Sequence, residues 1–187
     1  MEIGKTLYIT DRRSWRAWLK KHHSQQKEIW LIYYKLNSGR KRIPYNDSVE
    51  EALCYGWIDS IIKPIDKDKF AQRFSPRRPG SQLSESNKER IRRLIRNKKM
   101  TAAGLAAVQH AYQHTAKPEN VVIAPDILNA LKKNKQVWIN FRKFPLTYQR
   151  IRIGWIEMSR SRPQYFKQRL AYFIRMTEQN KRYGMVR

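Results

Sequence analysis

The 187-residue sequence has a single cysteine, Cys54, and that scarcity removes two structural options at once. A disulfide framework within the chain needs a pair of thiols, and a cysteine-rich zinc site needs more. Acidic residues are also few: fifteen Asp and Glu stand against forty Lys and Arg, a formal charge of +25. No apolar run reaches the ~18 residues that a membrane-spanning helix requires. The opening Met1-Glu-Ile-Gly-Lys-Thr6 lacks the basic segment and apolar core of a secretory signal, so a cytoplasmic location is expected.

What remains is a composition that folds. Hydrophobic residues make up 41% and aromatic residues 12%, which argues against general disorder. The length suits one domain or two small ones. Basicity runs through both parts: residues 1–116 carry 24 basic and 11 acidic side chains, residues 117–187 carry 16 and 4. Such a chain attracts polyanions, whether nucleic acid, anionic lipid or an acidic protein.

Periodicity organises the chain as α+β, a small antiparallel sheet with packed helices followed by an all-helical C-terminal part. Thr10 or Asp11 can cap a helix whose Trp15, Trp18 and Leu19 share one face. Glu28 to Lys35 is apolar on both alternating faces and reads as a central strand. Asn46-Asp47-Ser48 opens a helix with Glu50 and Glu51 placed for a capping box, and Gly56 ends it. Trp57–Lys63 and Phe70–Ser75 form a hairpin around an Asp-rich turn. Two prolines stop the second strand, and the spacing of Ser86 and Glu89 predicts a capping box for a helix with Ile91, Leu94 and Ile95 inside. Gly104 in the alanine-rich helix that follows predicts close packing against a neighbour. The pattern lapses from Thr115 to Pro125, which sets expected domains at 1–116 and 117–187. The second has apolar stripes at Ile127, Leu128 and Leu131, then Val137, Trp138 and Phe141, then Ile151, Trp155 and Ile156, then Phe166, Leu170, Phe173 and Ile174.

The run Val49-Glu-Glu-Ala-Leu-Cys-Tyr-Gly-Trp-Ile-Asp-Ser60, with Arg73-Phe-Ser-Pro-Arg-Arg-Pro79 and with Ser84 and Asn87, resembles the bacterial YdeI/OmpD-associated family, also described as bacteriocin-protection proteins. Trp30–Lys35, Met100–Gly104, Pro125–Leu131 and Trp155-Ile156 extend the resemblance over nearly the whole chain. The sequence departs from the family pattern at Leu83, where a Trp is usual, and over Met158–Gln164. The resemblance implies an α+β domain, a helical domain and a role in stress or antibacterial-peptide resistance. It brings no catalytic residues.

The strongest candidate site is an anion cradle of Arg73, Arg77, Arg78, Ser81, Ser84, Ser86 and Asn87. Arginine forks match phosphate and carboxylate oxygens, and a helix start adds partial positive charge. The competing reading has Arg73 and Arg77 paired with Asp59, Asp66 or Asp68 as an electrostatic lock on the hairpin. Aromatic residues interleaved with cations would permit stacking of single-stranded nucleic acid, although most fall on inner stripes and are expected in the core. His110 and His114 are spaced for a shared metal, but no third ligand accompanies them, so no metal or other cofactor is expected. Asp59 beside Trp57 is the one candidate centre for an enzyme of unknown reaction, together with the Arg73/Arg77/Arg78 loop. No catalytic residue is assigned, and the leading expectation is a non-enzymatic polyanion-binding protein. The alternative is a protein-interaction module using the C-terminal helices.

Overall fold

The computed structural model describes residues 2–112 and 120–184. It forms two units, one of residues 2–81 and 90–112, the other of residues 82–89 and 120–184.

The first unit is built on a four-stranded sheet in the order β1-β2-β4-β3. Strand β1 is Thr6–Tyr8, β2 Ile29–Tyr34, β3 Trp57–Pro64 and β4 Lys69–Pro76. β4 pairs antiparallel with both β2 and β3, as the alternating pattern predicts. The sheet is nevertheless mixed, because three-residue β1 joins β2 in parallel. That pairing rests on backbone groups around Thr6–Tyr8, where no apolar alternation announces a strand. A register shift between Asp59 and Ile62 bends β3, the edge strand opposite β1.

Helix α1, Arg12–His22, begins at Asp11, whose carboxylate accepts from the Ser14 amide at 2.9 Å. It buries Trp15 and Leu19. Trp15, Trp30, Trp57 and Phe74 are almost wholly buried, so the tryptophans of this unit are largely core. Helix α2, Tyr45–Cys54, starts one residue before the expected cap. Its N-terminus is Pro44, without a side-chain cap, and Ser48 donates to the Tyr45 carbonyl instead. Gly56 closes α2 at φ +75°, a conformation that favours glycine. Helix α4, Ala102–Tyr112, crosses the end of α2 so closely that a Cβ on Gly104 would lie 2.1 Å from the Cys54 carbonyl oxygen. The close packing predicted for this glycine is therefore a helix–backbone contact.

Helix α3, Glu85–Arg96, begins in the helical unit and continues in the sheet unit. Its cap is Ser84, whose hydroxyl accepts from the Asn87 amide at 3.2 Å. Ser86 lies inside the first turn, so the cap stands two residues before the one that the spacing predicts.

The helical unit continues with α5 Pro125–Lys132, α6 Lys135–Lys143, α7 Leu146–Glu157 and α8 Pro163–Glu178. Ile127, Leu131, Val137, Phe141, Ile153, Ile156 and Phe173 meet in its core, with Trp138, Phe166 and Leu170 packed against them. Asn134 caps α6 by accepting from the amides of Gln136 and Val137.

Candidate functional site

The predicted cradle residues fall in both units, and each has a local environment of its own. Arg73 on β4 ion-pairs with Glu28 at 2.7 Å and also reaches Ser60 and Ser75. Its register partner on β2 is Trp30, two residues from Glu28, which explains the pairing. Arg77 donates to the Ser81 carbonyl at 3.2 Å and to its hydroxyl at 3.0 Å, closing the proline-bounded loop. Burial lowers the Arg77 pKa. Arg78 is exposed. Ser84, Ser86 and Asn87 belong to the helical unit, where Ser84 and Asn87 form the start of α3.

Of the aspartates expected to lock the hairpin, Asp66 and Asp59 accept from other groups. Asp66 organises the turn by accepting from the amides of Asp68 and Lys69, with Lys69 Nζ at 3.5 Å. Those amide bonds, that of Asp68 foremost, lower its pKa. Asp66 and Asp68 line a polar cleft of about 440 Å³ with Tyr34, Asn37, Ser38, Arg40 and Lys69. Asp59 accepts from the Tyr45 hydroxyl at 2.8 Å and from Gln72 Nε2 at 2.9 Å. Burial, then the Asp59 charge, raises the Tyr45 pKa, so the phenol stays a donor to that carboxylate. Both bonds reach Oδ2 of Asp59, and the Arg90 guanidinium lies near enough to feel the same charge.

Another ion-pair cluster escapes sequence reading. The first turns of α2 bring Asp47, Glu50 and Glu51 against arginines of α1 and α3. Arg12 Nε reaches Glu51 at 2.5 Å, Arg16 reaches Glu51 at 2.6 Å, and Arg93 pairs with Glu50. Glu50 and Glu51 are 6% and 2% exposed, so they are buried anchors for three cations rather than cap residues. Their spacing, next to a helix start, gives the same signal as a capping box; only the packing of α1 and α3 separates the two.

Cys54 is buried and its thiol is pushed up to about 11 by that burial, which suits a packing residue rather than a nucleophile. His110 is exposed and within 3.1 Å of the Ser81 carbonyl; its predicted partner His114 lies outside the described residues. Among the described residues no group of three or more His, Cys, Asp and Glu is placed to hold a metal ion, and no helix is long and apolar enough to cross a membrane.

In the helical unit the carboxylates are likewise committed. Buried Arg150 lies 3.3 Å from Glu85 and 3.1 Å from Glu89. Arg160 bridges Asp126 at 2.9 Å and Glu157 at 2.7 Å. Exposed cations stand apart from these pairs: Lys20 and Lys21 on α1, Arg96 at the end of α3 with Lys98 and Lys99 just beyond it, Lys132, Lys133 and Lys135 around the α5–α6 turn, and Arg142 and Lys143 at the end of α6. None of these has a carboxylate partner among the described residues.

Residues 7–107 match a family model described as a domain of unknown function (DUF8412). Residues 120–180 match the family model described as bacteriocin-protection, YdeI or OmpD-associated. The second match is thus confined to the C-terminal region, and the motifs of Val49–Ser60 and Arg73–Pro79 fall instead within the match to the domain of unknown function. No curated protein and no solved structure matches.

Proposed function

We propose, for a chain that belongs over residues 7–107 to a domain family of unknown function and over residues 120–180 to the bacteriocin-protection, YdeI or OmpD-associated family, that the protein binds polyanions without catalysing a reaction on them. One observation carries this reading: most of its carboxylates among the described residues are held by its own cations. Glu28, Asp47, Glu50, Glu51, Glu85, Glu89, Asp126 and Glu157 are engaged by arginines or lysines. The excess of +25 is left without acidic partners, and most of it stands on the outside, where it is available to a polyanionic partner.

The field of such a surface reaches only about 8 Å at physiological salt, so contact with the partner's phosphates or carboxylates is what gives affinity. The bacteriocin-protection description of the family matched over residues 120–180 supports a resistance role. A polycation does not sequester a cationic peptide; where the attacking peptide is cationic, protection would come from covering an anionic target that both seek.

Titration of the full chain against labelled single-stranded and duplex DNA across ionic strength tests the reading. Binding that weakens steeply and linearly in log–log form with salt is expected. Absence of binding to either form at low salt overturns it.

A further inference from the structure

The surface of α8 carries a pattern that general basicity does not explain. Tyr165, Arg169 and Tyr172 recur at intervals of four and three residues, so they form one stripe along the helix, and Arg162 at the N-cap reaches the first of these rings. Tyr165 is 53% exposed and Tyr172 37% exposed, unlike the aromatic residues of the inner stripe, Phe166 and Phe173. Each arginine lies over a ring: Arg162 over Tyr165 at 5.1 Å, Arg169 over Trp155 at 4.6 Å and, one turn on, Arg175 over Tyr172 at 5.2 Å.

These guanidinium groups have no carboxylate partner among the described residues, and Pro163 to Thr177 contains no acidic residue. Ring faces orient the cations without neutralising them. Behind the stripe, Arg152 is only 8% exposed, boxed by Tyr148, Trp155 and Tyr183 at 5.4, 5.8 and 4.6 Å, and its Nε has no hydrogen-bond partner among the described residues. The positive charge of this region is thus built in and left uncompensated.

Building on the polyanion reading, we propose that the Tyr165–Arg169–Tyr172 stripe of α8, with Arg162 at its N-cap, is a stacking platform for single-stranded nucleic acid. The arginines take phosphates, and the solvent-facing parts of the two rings, about 10 Å apart along the axis from the helical rise, take separate bases; Arg162 covers one face of Tyr165, while Arg175 at 5.2 Å and Tyr183 at 4.7 Å pack on Tyr172. A duplex keeps its base faces closed and gains only the phosphate contacts. A membrane surface is a poorer fit, since it requires an outward apolar face and the apolar residues Phe166, Leu170, Phe173 and Ile174 of α8 pack against the core.

The test uses the full chain, a fluorescent oligothymidylate of about 12 nucleotides, a duplex of the same length and anionic phospholipid vesicles, all near 0.1 M salt. The double substitution Tyr165→Ala with Tyr172→Ala is expected to weaken single-strand binding at least about tenfold, with duplex binding changed less than about twofold. Tyr165→Phe with Tyr172→Phe keeps the rings and should retain wild-type affinity, while thermal melts establish that both variants fold. Single-strand binding unchanged by the alanine pair overturns the platform and leaves the polyanion reading standing. Loss of vesicle binding in the alanine pair without loss of single-strand binding overturns it in favour of a lipid surface. No binding of the wild-type chain to either DNA form removes both readings together.

Discussion

Single residues in this protein are decided by who stands opposite them. Glu28 accepts from the Trp30 indole at 3.0 Å and from Arg73 at 2.7 Å, and these two bonds, the indole first, lower its pKa below the ordinary 4.5. Asp11 is lowered by the Ser14 amide and Asp126 by Arg160. A carboxylate depressed in the folded state binds its proton more readily when unfolded, so stability rises with pH across that window. The contribution is complete above the unfolded value near 4 and is lost as pH falls through the folded one. Thermal melts should therefore show a falling midpoint below about pH 4, and the deficit of Glu28→Gln relative to the native chain should shrink between about pH 7 and pH 3. A deficit that stays constant with pH would mean Glu28 acts through packing alone. Glu28 and Arg73 are 45 residues apart, and neither identifies the other in the sequence. The strand register of β2 against β4 makes the pair.

Elements were more legible than their ends. Helices α1, α3, α5, α6 and α8 follow the apolar stripes, because a 3.6-residue period commits one face to a core whatever that core is, whereas α7 departs from its stripe by burying Tyr148, Arg150, Arg152 and Ile153 as well. Caps depend on one or two hydrogen bonds and shift easily among neighbouring Ser, Asp and Glu. For α3 the prediction is specific: Ser84→Ala removes the acceptor for the Asn87 amide and should cost about 1 kcal/mol in urea unfolding. Ser86→Ala, inside the first turn, should cost less than about half of that. The reverse order would return the cap to Ser86. Likewise Glu50 and Glu51 have the spacing of cap residues, but α1 lies alongside and its arginines claim them. Burying carboxylates is tolerable only with such partners, since each unpaired charge would cost several kcal/mol.

At the scale of the whole molecule, charge opposes compaction. The internal ion pairs offset the repulsion locally and leave the whole excess of +25 without acidic partners. Raising salt from about 0.02 M to about 0.2 M screens that repulsion and should raise the melting midpoint, opposite to the trend of a protein held mainly by surface ion pairs. A midpoint that falls with salt would show the arginine–carboxylate clusters outweigh the net charge.

The sequence by itself determined the α+β class, the central position of β2, the hairpin, the stop at Gly56 and the basic surface. All of these follow from local periodicity, backbone sterics or composition. It did not disclose the parallel partner β1, whose three residues carry no pattern, nor that residues 82–89 join the helical unit, where Glu85 and Glu89 meet Arg150. It did not separate the arginines that hold the fold from those that face outward. Arg12, Arg73 and Arg150 read like Arg96, Arg162 and Arg175 along the chain. Only tertiary packing decides which of them find carboxylates, because ion pairing acts over a few ångströms in space and is blind to distance in sequence.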